Sequence, residues 1–216
     1  MRMKLPIFIV LLVCFLLVST LLVNRDFRTV DQEIDHNLNN ISIGPGVSSN
    51  PYDYITDNEA FENIVSLGSE ALPALHNKLS MSDENGLKEY YLAVAIEQIA
   101  GVDLKQSQST FWDTPNGFIQ MWSRYLETIP SHVDEISKDA NLSQEERVKQ
   151  LIKLGTPAVP FILDEIELGD EGLLSAFNVL TRNSAATADI LDKKAWASEN
   201  KDQFAELKRY VLEKRN

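Results

Sequence analysis

Cysteine is nearly missing from this chain of 216 residues: Cys14 is the only one. No disulfide can form within the chain, and no zinc site can be built from thiolates. Glycine (9) and proline (8) are too sparse for a low-complexity protein. Basic residues are outnumbered, 20 Lys and Arg against 32 Asp and Glu, giving a formal charge of −12. Setting aside the +2 of Arg2 and Lys4 leaves −14 for everything that follows them. Nucleic-acid affinity rests on phosphate neutralisation by Lys and Arg, so a body this acidic excludes DNA and RNA as partners. Runs of alternating hydrophobicity are also lacking, which points away from β-structure.

What is present begins with one long apolar run. Leu5 to Val23 carries no charge. At about 1.5 Å per residue it spans roughly 28 Å, close to a bilayer core of about 30 Å. The segment around Ser19 and Thr20 reads LVSTLLV, a poor signal-peptidase site. An uncleaved transmembrane signal-anchor is therefore expected at 5–23. Arg2 and Lys4 precede it, and Arg25 and Arg28 follow it, offset in part by Asp26. That bias places residues 1–4 in the cytoplasm and the body outside. Cys14 follows Leu11, Leu12 and Val13, and Val13 does not suit a lipid-attachment motif, so Cys14 reads as a membrane-buried residue. Residues 24–51 read as a juxtamembrane helix, with Phe27, Val30, Ile34 and Leu38 at helical spacing, then a linker rich in Asn, Ser, Gly and Pro. The folded body is expected from Tyr52.

The body repeats itself. Residues 64–79, IVSLGSEALPALHNKL, match residues 151–166, LIKLGTPAVPFILDEI, at an offset of 87. Leu67/Leu154, Gly68/Gly155, Ala71/Ala158 and Pro73/Pro160 are identical pairs. Further on, Trp112 is echoed by Trp196, and SRYLE by KRYVLE. This divides the body into unit 1 at 52–130 and unit 2 at 131–216. Thr56 with Glu59, and Ser143 with Glu146, have the spacing of capping boxes that open the first helix of each unit. Gly68 and Gly155 suit the positive φ that ends it. Ser69 and Thr156 are placed to cap the next helix, with Pro73 and Pro160 in its first turn. A third helix is expected from Asp83 to Ala100, capped by Ser82 and stopped by Gly101, with its counterpart from Glu171 to Arg182 capped by Asp170. Fourth helices are expected near 114–128, ended by Pro130, and near 199–214. A short extra helix is expected at 132–138. Leu67, Ala71, Leu72 and Leu75 are expected in the core, with Leu154, Ala158, Val159 and Ile162.

The phrase LGxxAxPxL resembles the turn and second-helix start of HEAT-like, lyase-type helical repeats, over roughly 57–101 and 144–183. The resemblance implies an all-α fold of stacked helix pairs that binds other proteins. Solenoids need about three repeats, so two units imply a compact stack rather than an open groove.

Ser198 and Lys201 have the Ser-x-x-Lys spacing of penicillin-recognising enzymes, but neither Ser-Asp-Asn nor Lys-Thr-Gly accompanies them. His36, His76 and His132 are too dispersed for a metal site, and His76 is expected to be partly exposed. Glu59/Glu62, Glu145/Glu146 and the run Asp164, Glu165, Glu167, Asp170 and Glu171 read as solvated helix faces. Trp112, Trp122 and Trp196 read as packing residues. No catalytic, cofactor-binding or metal-binding residue is assigned. The leading expectation is a membrane-tethered scaffold or adaptor on the outer face of a bacterial membrane. It touches the bilayer through 5–23 and another protein through its body. Rival expectations are an enzyme acting on envelope polymers through an acidic pair, and a structural subunit of a membrane complex.

Overall fold

The structure is a computed structural model that describes residues 29–41, 48, 50–106, 110–182 and 190–213. The apolar run at 5–23, with Cys14, lies outside the described residues, as do residues 1–4. Among the described residues no helix is long and apolar enough to cross a membrane, and the regular structure is entirely helical.

Helix α1 (Val30–Asn40) opens on a capping box in which Thr29 accepts from the Gln32 amide and Gln32 reaches back to the Thr29 amide. The core extends upstream of Tyr52, because Ile34 and Leu38 of α1 are buried against α2 (Glu59–Ser66). His36 belongs to α1. The cap of α2 is Asn58, whose side chain accepts from the Phe61 amide. Thr56, expected in that role, donates to the Tyr52 carbonyl instead. Asp57 has φ 53°, a left-handed turn that places Asn58 rather than Thr56 at the helix mouth.

The expected turn follows. Gly68 has φ 72° and ψ −166°, a region open only to glycine. A single 3-10 turn (Ser69–Ala71) then leads into α3 (Leu72–Ser80), with Pro73 at its second position. Ser69 makes no side-chain cap; the 3-10 turn satisfies the amides that a cap would have served. The second unit repeats this arrangement. Helix α6 (Gln144–Lys153) opens on the expected Ser143/Glu146 capping box. Gly155 has φ 65°, the turn Thr156–Ala158 is again 3-10, and α7 (Val159–Leu168) carries Pro160 at its second position. Thr156 does not cap; its hydroxyl faces the Ile99 carbonyl at 3.4 Å.

The third helices are α4 (Leu87–Ala100) and α8 (Leu174–Thr181), again opening 87 residues apart. Helix α4 starts later than Asp83, at Gly86, where Glu89 accepts from the Gly86 amide and the Ser82 hydroxyl. Gly101 ends it at φ 70°, in the left-handed region. Before α8, Asp170 makes no side-chain cap and instead pairs with Arg147 at 2.9 Å.

The largest departure is α5 (Pro115–Lys138), a helix of 24 residues that runs straight through Pro130 and absorbs the expected helix at 132–138. An interior proline costs about 3 kcal/mol. Phe118, Trp122, Leu126, Ile129 and Val133 form one buried stripe on either side of it, each contributing roughly 1.5–3 kcal/mol. Burial therefore outweighs the break. Helix α5 packs on α3, α4, α6 and α7, so it is the spine shared by both units. The final segment is two helices, α9 (Lys193–Asn200) on α7 and α10 (Ala205–Glu213), which also returns to α5 and α3. Of the expected core, Ala71, Leu72, Leu75, Leu154, Ala158, Val159 and Ile162 are buried and Leu67 is half-buried.

Candidate interaction groove

A groove of about 720 Å³ lies where the two units meet. Three helices end on it: α2 through Val65 and Ser66, α4 through Gln98 to Ala100, and α8 through Val179 to Thr181. The two glycine turns border it through Gly68 to Glu70 and Thr156, and Phe204 closes one side. Among the described residues the lining mixes apolar side chains with Glu62, Glu70 and one base, Arg182. Val179 is 56% exposed there, and Glu62 and Glu70 are exposed. Helix C-termini carry partial negative charge. The openings of α3 and α7 offset part of it, but among the described residues two carboxylates against one guanidinium leave the lining net negative.

Three carboxylates of the acidic run at 164–171 are paired with cations from the segments before and after it. Lys208 reaches Asp164 at 2.6 Å, Lys201 reaches Glu167 at 2.9 Å, and Arg147 reaches Asp170. Burial pushes the Glu165 carboxyl up, with Lys138 opposing. Ser198 and Lys201 both donate to Glu167, Ser198 at 2.8 Å. The Ser-x-x-Lys spacing thus serves to staple α9 to α7, and Lys201 holds Glu167 below the usual carboxylate range. Glu146 is spent on its own capping box. Among the described residues no group of three or more His, Cys, Asp or Glu is placed to hold a metal ion.

His76 is 1% exposed, not partly exposed as expected. Its Nδ1 lies 2.9 Å from the Tyr210 hydroxyl, which in turn accepts the Trp122 indole N–H at 2.7 Å. The tryptophans pack as expected. Trp112 lies tilted against Tyr90, 5.0 Å between centroids, and Trp196 lies edge-on to Phe177 at 5.1 Å. Tyr90 and Phe177 stand 87 residues apart, so the repeat continues into the third helices in the shape of an aromatic pair.

Two features escaped the sequence. Glu97 is a buried carboxylate of α4 whose Oε1 accepts from the Leu104 amide at 2.8 Å and the Trp112 indole at 3.0 Å. Burial pushes its pKa up, and those two donors oppose the shift. Lys105 sits among three aromatic rings. Neither belongs to a motif. An isolated Glu on an apolar helix stretch, LAVAIEQIA, was the signal available for the first.

No family model, no curated protein and no solved structure matches the chain.

Proposed function

We propose that this protein is a membrane-tethered interaction module built from two HEAT-like units, held by residues 5–23 and displayed outside a bacterial cytoplasmic membrane. Its groove takes a partner segment that pairs Lys or Arg with aliphatic side chains. The observation that carries this reading is the groove itself, lined by aliphatic and polar side chains together, net negative among its described residues, and open beside the exposed Val179. Charge complementarity sets partner choice and on-rate, and the −12 of the whole chain favours the same class of partner.

The test is site-specific cross-linking in cells, with a photoreactive residue in place of Val179. A discrete adduct is expected, and Glu62→Lys with Glu70→Lys should abolish it. A photoreactive residue at Leu168, exposed but away from the groove, should give no such adduct. Equal adducts from both positions, or an adduct indifferent to the charge reversal, would overturn the reading.

A further inference from the structure

The Nζ of Lys105 lies 3.8 Å from the ring centroid of Trp112, 4.9 Å from that of Tyr90 and 5.4 Å from that of Tyr52. It donates to the Tyr90 hydroxyl at 2.7 Å and to the Tyr52 hydroxyl at 3.2 Å. Tyr52 and Tyr90 meet edge to face with centroids 5.9 Å apart. Among the described residues no carboxylate pairs with this ammonium. The positive charge is instead held by ring faces and phenol oxygens, the environment that selects an organic ammonium over a small hard cation.

Trp112 and the turn that carries Lys105 are held in place independently of the lysine ammonium. Trp112 is fixed by its N–H bond to Glu97 and by edge contact with Phe118. The 3-10 turn that carries Lys105 (Leu104–Gln106) is fixed by the Leu104 amide on Glu97 and by the Thr110 hydroxyl on the Leu104 carbonyl, 2.5 Å. None of these bonds involves the Lys105 side chain. Its ammonium can therefore leave while the turn and the Trp112 face stay in place. The exit is open, because Tyr52 is 38% exposed and Lys105 is half-buried.

We propose that Tyr52, Tyr90 and Trp112 form a binding site for a primary alkylammonium group, such as a lysine side chain or a free alkylamine, and that Lys105 is its tethered occupant. The two phenol oxygens accept N–H donors, which favours a primary ammonium over a quaternary one. A short tether presents Lys105 at an effective concentration in the millimolar range. An outside amine therefore binds only to the fraction of cages from which Lys105 has swung away, and its apparent affinity is reduced by that fraction. The site stands apart from the groove and does not depend on the groove's function.

The test uses the full chain, wild type and Lys105→Ala, titrated with n-butylammonium. The readout is the Trp112 indole N–H resonance, identified by its loss in Trp112→Phe. Butylammonium should shift that resonance saturably in Lys105→Ala, with an affinity at least about tenfold tighter than in wild type. Neutral 1-butanol should not reproduce the shift, and tetramethylammonium should bind more weakly. A folded Lys105→Ala that shows no saturable shift would overturn the proposal. So would equal affinities for wild type and variant, or an equal response to butanol. Lys105→Met supplies the folding control, because it fills the cage without charge. If Lys105→Ala and Lys105→Met both lose the native spectrum, the ammonium is a structural staple and the binding site does not exist.

Discussion

The Tyr210 hydroxyl lies 2.9 Å from His76 Nδ1 across 134 residues of chain, and it joins the last helix of unit 2 to the second helix of unit 1. Trp122, on the shared spine, donates its N–H to the same oxygen. The Tyr210 hydroxyl accepts from Trp122, which leaves its own proton free to go to His76 Nδ1. All three side chains are buried, so water cannot substitute for a missing partner.

Tyr210→Phe removes the acceptor from a buried indole N–H at almost constant volume. The expected loss is about 1–3 kcal/mol, read as a lower denaturation midpoint in urea. Tyr54→Phe, near the half-exposed end of unit 1, serves as the comparison and should lose less, since its hydroxyl meets Ser48 close to solvent. Equal losses in the two variants would show that the three-residue link has no special weight.

The two glycine turns should respond differently to the same change. Both have positive φ, so Gly→Ala strains each backbone. At Gly68 a Cβ meets nothing within 4 Å, whereas at Gly155 it would sit 2.2 Å from the Ala100 carbonyl oxygen and 2.7 Å from Val102. Gly68→Ala is expected to cost on the order of 1 kcal/mol. Gly155→Ala should cost at least twice that, because the end of α4 must shift as well. Thermal melts of the two variants decide the matter, and a smaller loss at Gly155 contradicts the packing described.

Glu97 gives a pH prediction with a definite sign. Burial raises its carboxyl above the usual value in the fold, so the native state favours the protonated form. Its contribution to stability is present at low pH and is lost as pH rises through the raised value. Both of its donors bond to Oε1, which a glutamine retains. Glu97→Gln should therefore be at least as stable as wild type at pH 7, with the difference closing on acidification through the carboxylate range. Glu97→Ala should lose stability at every pH, because it leaves the Leu104 amide and the Trp112 indole unbonded. Urea melts across pH 3.5 to 8 would show both trends.

The proposed membrane arrangement has its own check. A reporter that is active only after export, fused to the C-terminus, should be active. Cys14→Ser should leave the protein in the membrane fraction. Release into the soluble fraction would mean that Cys14 carries the attachment, and a silent reporter would reverse the orientation.

The local signals in the sequence were those with local causes. A glycine at positive φ, a proline at the second helical position and a Ser-x-x-Glu box act within a single turn, and all appear at Gly68, Pro160 and Ser143. Pro130 was misleading because its penalty is local while its compensation is not. The stripe from Phe118 to Val133 is buried by five other helices that a sequence window does not see. The burial of His76 has the same kind of cause, since its partner arrives from residue 210. The groove was illegible because helix ends from three separated segments compose it. The aromatic cage was illegible because Tyr52, Tyr90, Lys105 and Trp112 share no spacing rule.

The contact between Gly155 and the Ala100 carbonyl bears on history as well as stability. If the two units arose by duplication, their turns began as equals, and stacking made them unequal. The upstream turn faces open space and retains one constraint, its backbone angle. The downstream turn is wedged under its neighbour and carries a second, steric one. Mutation can reshape the rim of the groove around Gly68 while the seam at Gly155 stays sealed, so new specificities have one side of the molecule on which to accumulate.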